Sequence, residues 1–165
     1  MLVHSAEESF RQGMIALQQN RHIEALALFE AAIELERRLG TQEIQPRYLS
    51  YYGLCLSLHG KRHRDGVYFC REATAKEQYN ADLFLNLGRA CLAAGRRREA
   101  HDALERGLRL QPGHDGIQKV KSKMGSRRRP VIPFLSRDNP VNIVLGKLAS
   151  QSNNDDESPV GQRVG

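Results

Sequence analysis

The chain has 165 residues, with 25 lysines and arginines against 19 acids for a net charge of +6, and no tryptophan. That length suits one domain with tails, and the basic surplus is compatible with nucleic acid, acidic partners, an anionic membrane or an ordinary solvated surface. No stretch approaches the roughly 20 apolar residues that cross a bilayer, and MLVHSAEESF lacks the basic-then-apolar order of a secretory signal, so a cytoplasmic protein is expected.

Apolar residues recur at helical period along the first two thirds of the chain. A first helix is predicted over residues 3–19, opened by Ser5 and Glu8 as a capping box and closed at Asn20. A second, over 22–39, places Ile23, Leu26, Phe29, Ala32, Ile33 and Leu35 on its apolar side and ends at Gly40, suited to a C-terminal cap. After a connection over 40–45, Pro46 takes the first position of a third helix, which carries Tyr48, Leu49, Tyr52, Leu56 and Leu58 as far as His59. The basic turn GKRHR leads into a fourth helix, over 62–77, with Val67, Tyr68, Phe69 and Ala73. Gly66 inside it costs about 1 kcal/mol against alanine, which close helix packing would justify.

Asn80 is a good N-cap for a fifth helix with Leu83, Phe84, Leu87, Gly88, Cys91 and Leu92 on one face. Gly95 breaks the run, and a sixth helix follows with Ala100, Ala103, Leu104, Gly107 and Leu108, stopped by Pro112. Arg96, Arg97 and Arg98 open it at the positive end of the helix dipole, as solvated charge or as an anion site. Ile117, Val120 and Met124 then recur at helical spacing with Lys119, Lys121 and Lys123 outward, a final helix that covers the apolar edge left open. Beyond it, Arg127, Arg128 and Arg129 are basic, and PVIPFL at 130–135 is apolar and extended. A short helix is expected over 141–149, and residues 150–165 are polar, acidic and disordered. The expected division is therefore 1–125, 126–149 and 150–165.

The helices come in pairs, and the pairs repeat. Gly13 is followed twelve positions on by Ala25 and sixteen on by Phe29; Gly88 is followed at the same offsets by Ala100 and Leu104. Gly53 keeps the second offset at Phe69, but Asp65 stands in the alanine slot with Gly66 beside it. This set resembles the tetratricopeptide repeat, whose period is about 34 residues. Phe84, Leu87, Gly88, Cys91, Ala100, Leu104, Gly107 and Pro112 occupy its pattern positions in the third pair, while Gly13, Ala16, Ala25, Phe29 and Ala32 do so in the first. Gly53, Leu56 and Phe69 do so in a degenerate second pair. The resemblance implies an all-α, right-handed superhelical solenoid of three helix pairs with a capping helix and a partly extended tail.

It also implies a concave inner wall built from the first helices. The positions carried over are Glu7, Phe10, Arg11, Met14 and Gln18, then Arg47, Ser50, Tyr51 and Leu54, then Asp82, Leu85, Asn86 and Arg89. Such a wall suits an extended or helical peptide, with apolar spots for side chains and Arg11, Asn86 and Arg89 for backbone or carboxylate oxygens. The family's chaperone-binding members clamp a terminal carboxylate with Lys and Asn. Phe10, Met14 and Tyr51 stand where that clamp would need polar groups, so chaperone binding is not implied.

The function expected is thus a non-catalytic adaptor for a protein or peptide partner. Two alternatives stay open: polyanion or nucleic-acid association through residues 61–64, Arg96 to Arg98 and Arg127 to Arg129, and self-association through residues 130–148. No catalytic constellation and no Gly-rich phosphate loop occur, and no cofactor is expected. Cys55, Cys70 and Cys91 fall on apolar helix faces without a CxxC pair and read as core thiols in a reducing compartment. His59 and His63 are separated by a turn, so no helical face aligns them on a metal.

Overall fold

The computed structural model describes residues 5–40, 43–59 and 62–125. The chain divides into two units, Met1–Met124 and Gly125–Gly165. The expected extended segment, short helix, acidic end, Arg127 to Arg129 and the 130–148 self-association segment lie outside the described residues.

Seven helices and no strand occur among the described residues: α1 Ala6–Gln18, α2 His22–Arg38, α3 Pro46–Leu58, α4 His63–Lys76, α5 Ala81–Ala93, α6 Arg97–Leu110 and α7 Asp115–Met124. α1 packs on α2, α3 on α4 and α5 on α6, each through a turn short enough to force antiparallel neighbours. α2 and α4 also pack on the first helix of the following pair, α3 touches α5, and α7 closes the series against α5 and α6. Repetition is required because one pair leaves an apolar edge that only the next element can bury.

Local chemistry sets the helix starts. The Ser5 hydroxyl accepts from the Glu8 amide at 3.1 Å, the Asn80 side chain accepts from the Asp82 amide at 3.0 Å, and Pro46 occupies the first position of α3. The second helix of each pair starts differently. Arg21, Arg62 and Arg96 sit at the cap positions of α2, α4 and α6 without a side-chain cap bond. Each guanidinium instead pairs with the acid three residues on: Glu24, Asp65 at 2.9 Å and Glu99 at 3.6 Å. These exposed pairs add little stability, but they place the same Arg-x-x-acid signature in every turn. Asn20 (φ 59°) takes the left-handed turn position in the first pair that Gly95 (φ 73°) takes in the third.

The helix crossings obey the expected spacing in pairs one and three. A methyl at Gly13 would come within 2.6 Å of the Phe29 ring, and one at Gly88 within 2.6 Å of Leu104 Cδ2. Pair two departs from it. A methyl at Gly53 would meet the Gly66 carbonyl oxygen at 2.6 Å and Cys70 Sγ at 3.0 Å. Of the buried residues of α4, Gly66, Cys70, Ala73 and Thr74 each lie one position later than a buried counterpart in α2 or α6, while Val67 has no such counterpart. Four residues separate α3 from α4, whereas three separate α1 from α2 and α5 from α6. The extra residue advances the register, so Cys70 replaces Phe69 in the large-residue slot, and Gly66 takes the alanine slot expected at Asp65. Phe69 turns aside and packs edge-on against Tyr52, ring centroids 5.2 Å apart.

Other apolar expectations are also corrected. Ile23 is 68 % exposed and Tyr68 59 % exposed, since both lie on the outer side of their helices. In α7, Ile117 is fully buried, but Lys121 is not simply solvated: it pairs with Glu105 and ties the helix to α6. The core runs continuously through Phe10, Phe29, Tyr48, Leu54 and Leu56 in the first two pairs. Phe10 packs against Phe29, Tyr48 and Tyr51 with centroids 5.5, 4.8 and 5.5 Å apart.

Candidate functional site

The expected wall residues lie on α1, α3 and α5, but packing divides them into occupied and available groups. Glu7 and Arg47 are bound to each other across α1 and α3, and the Tyr48 hydroxyl donates to Glu7 at 2.9 Å. The Arg47 guanidinium lies over the rings of Phe10 and Tyr48, 5.2 Å from each centroid. Burial and the neighbouring Glu7 push the Tyr48 hydroxyl up to about 12. Arg11 is exposed but pairs with Glu8 at 2.6 Å.

Four expected wall residues belong to the interior. Phe10 is in the aromatic cluster, Ser50 and Leu54 have no exposure, and Asn86 is 2 % exposed. The Asn86 amide donates to the Ser50 hydroxyl at 3.1 Å, while the Cys70 thiol donates to the Ser50 carbonyl at 3.3 Å. Ser50 therefore fastens α3 to both α4 and α5. Sequence reading assigned Asn86 to a ligand because an amide on a first helix is indistinguishable, by position, from one satisfied by the adjacent repeat.

What remains at the surface is Met14, Gln18, Tyr51, Asp82, Leu85 and Arg89, of which Gln18 and Asp82 are exposed and the others half-buried. Asp82 faces His114 Nε2 at 3.0 Å, and Leu85 lies under Gly116 of the closing helix. Tyr51, Asn86, Asp82 and Arg89 form one electrostatic group. Burial, then the Asp82 charge, raises the Tyr51 hydroxyl above its ordinary value, opposed by the Asn86 amide and the Arg89 guanidinium. Arg89 also lies close enough to Cys55 to oppose the effect of burial on that thiol. It forms no ion pair with any described residue.

The expected anion cluster is similarly divided. Arg96 pairs with Glu99, Arg97 donates to the Met124 carbonyl at 2.7 Å, and Arg98 is exposed. Arg97 at the end of α7 is favourably placed, since the last carbonyls of a helix are its negative pole. Cys55, Cys70 and Cys91 are buried and free. Among the described residues no group of three or more His, Cys, Asp or Glu could hold a metal, and no helix is long and apolar enough to cross a membrane.

Stacked antiparallel helix pairs whose glycines meet the large residue of the partner helix define an α-helical repeat protein. Tetratricopeptide repeat models match residues 9–38 and 58–124, together more than half of the chain, and the chain belongs to the tetratricopeptide repeat family. That family is in general a non-catalytic protein–protein interaction domain. None of the curated proteins matches the chain significantly by sequence.

Similar solved structures include YrrB, a TPR protein with an unusual peptide-binding site, at 19% identity and a TM-score of 0.58, over 73% of this chain and 59% of that one. The TPR domain of Arabidopsis OM64 is similar at 16% identity and a TM-score of 0.58, over 74% of this chain and 96% of that domain. The UNC-45 chaperone, which binds and folds muscle myosin, is similar at 18% identity and a TM-score of 0.58, over 98% of this chain and 16% of that one. The chain thus spans 59% of the length of YrrB and a small part of UNC-45.

Proposed function

We propose that the chain binds an extended or helical segment of a partner protein along the wall of α1, α3 and α5. Residues 1–125 are the binding domain, in a cytoplasmic protein. The observation that carries this reading is Arg89, a half-buried arginine on the wall with no ion-pair partner among the described residues, beside the Tyr51 hydroxyl. Its guanidinium can take a backbone carbonyl or carboxylate oxygen from a ligand, and a charge-assisted bond there is stronger than a neutral one. Met14, Tyr51 and Leu85 supply apolar surface for the ligand's side chains.

Arg89→Glu is the discriminating substitution. Affinity capture from the native cell, read by mass spectrometry, should lose the partners that the parent chain retains, with an unchanged circular dichroism spectrum. Unchanged capture would rule the wall out. Asn86→Ala is unsuitable for this purpose, because its amide is a buried bond donor to Ser50 and its removal perturbs folding.

A further inference from the structure

The end of the helical series at α1 and α2 carries a face that peptide binding on the wall does not use. Two residues after Gly53 and Gly88 stand Cys55 and Ala90, both fully buried, in clusters that include Phe29 of α2 and Val67 of α4, the second helices of the preceding pairs. Ile15 holds the same place after Gly13 and is 47 % exposed, because no described helix precedes α1. On the same side of α1, Gln12 joins Ser9 along a groove of about 500 Å³, whose other bank is Leu28, Ala31 and Leu35 of α2 together with Glu34 and Arg38. The first pair thus leaves uncovered the side that the second and third pairs bury under a helix.

The outward stripe of α2 is Glu24, Leu28, Ala31, Leu35 and Arg38, spaced alternately four and three positions apart as in a helix-to-helix seam, and none of the five is buried. It has an acid at one end, a base at the other, leucines inside and a small residue at its centre, so it complements itself when turned end for end. Glu24 and Arg38 pair only with Arg21 and Glu34 of their own helix, and Glu34 is shared with Arg37. Exposed pairs of this kind are worth little and are readily exchanged. The other end of the described helices offers no match: the outer side of α7 is Gln118, Lys119, Ser122 and Lys123, all exposed and polar. Head-to-tail stacking would press an apolar groove onto lysines.

We propose that this face pairs with the same face of a second copy of the chain, α2 crossing the partner's α2 antiparallel about a two-fold axis at Ala31. That crossing sets Leu28 against the partner's Leu35 and Glu24 against the partner's Arg38, and each contact occurs twice, as an isologous interface requires. Ala31 at the axis lets the two backbones approach, and the leucines of both copies supply the apolar gain. A parallel crossing would set Glu24 on the partner's Glu24 and Arg38 on the partner's Arg38, and like charges repel. Leu28, Ala31 and Leu35 are not part of the wall of α1, α3 and α5, so dimerisation and peptide capture can fail separately.

Sedimentation of the full chain over about 1 to 100 μM, which brackets micromolar association, should show a species of twice the 18.6 kDa chain mass. Leu35→Lys should leave only monomer over that range. Glu24→Arg and Arg38→Glu, each alone, should weaken the dimer about tenfold, because two attractive contacts become two repulsive ones. Mixed in equal amounts, these two variants should recover the parent's mass, since one copy is then basic at both ends of the stripe and the other acidic. Glu24 and Arg38 are exposed, and the helical circular dichroism spectrum reports the fold of every variant. A parent chain that stays monomeric throughout overturns the proposal and leaves the face to another occupant. A dimer indifferent to Leu35→Lys overturns it by placing the contact elsewhere, as in residues 130–148, and so does a mixture that associates no more tightly than its two components.

Discussion

Gly53→Ala should destabilise the protein, although alanine is the better helix former. The crossing of α3 and α4 at this point is backbone against backbone. An added methyl would lie 2.6 Å from the Gly66 carbonyl oxygen and 3.0 Å from both the amide nitrogen and the Sγ of Cys70, where ordinary contact begins at 3.4 Å. The helices must therefore separate by about 0.8 Å, and no side-chain rotation can relieve a clash with main chain. A gap of that order forfeits a quarter to a half of the contact energy of each atom pair it opens, along a face that buries Val67, Cys70 and Ala73. Overpacking of this kind costs about 3 kcal/mol, and the propensity gain returns about 1 kcal/mol. The net loss of about 2 kcal/mol should lower Tm by about 6 °C. Urea unfolding followed by circular dichroism measures it, with Gly113→Ala as the comparison. Gly113 has nothing within 4 Å and lies outside the left-handed region, so alanine there should stabilise by about 0.4–1 kcal/mol through the unfolded chain. If Gly53→Ala stabilises as Gly113→Ala does, the close crossing is refuted.

Ser50→Ala leaves the buried Asn86 amide without its acceptor and should cost about 1–3 kcal/mol in the same assay; a loss under about 0.5 kcal/mol would mean that this bond does not hold α3 to α5. Burial pushes the Cys55 thiol up to about 12 and raises Cys70 and Cys91 as well, so thiolates are scarce at neutral pH. A disulfide-exchange reagent should label the three only in denaturant, and rapid labelling of the native chain would contradict their burial. The same shifts fix the alkaline limb of stability. Cys55 rises from an ordinary 9.0 to about 12 and Tyr48 from 10.0 to about 12, so the unfolded chain loses these protons first. Their contribution is present below pH 9 and declines as pH rises towards 12. A urea midpoint that stays level or rises across that interval would exclude it.

The helices and their pairing were readable because each carries an apolar face at period 3.6 and a local start signal: Ser5, Pro46 and Asn80 each act in the structure as their chemistry predicts. The second pair shows where reading by offset fails. Phe69 is large, apolar and in the expected slot, yet Cys70 fills it, because one residue added to a turn advances the whole helix behind it. The recurrent Arg-x-x-acid in the turns was visible at Arg21, Arg62 and Arg96, but it is a weak motif until three equivalent helix starts are superimposed.

The amino-acid sequence alone determined an all-helical chain of repeated pairs, since periodicity, small residues and caps act within one or two turns of the backbone. The wall expected on the first helices is what the family resemblance implies for those positions. How the residues expected on that wall are buried and paired was decided only in the tertiary structure. Leu54 and Asn86 are closed off, Glu7 and Arg47 satisfy one another, and Arg89 has no ion-pair partner among the described residues. The reason is physical: burial and charge pairing depend on atoms that neighbouring repeats bring together from 36 to 41 positions away, as in Asn86 with Ser50 and Tyr48 with Glu7. No local pattern along the chain records those encounters.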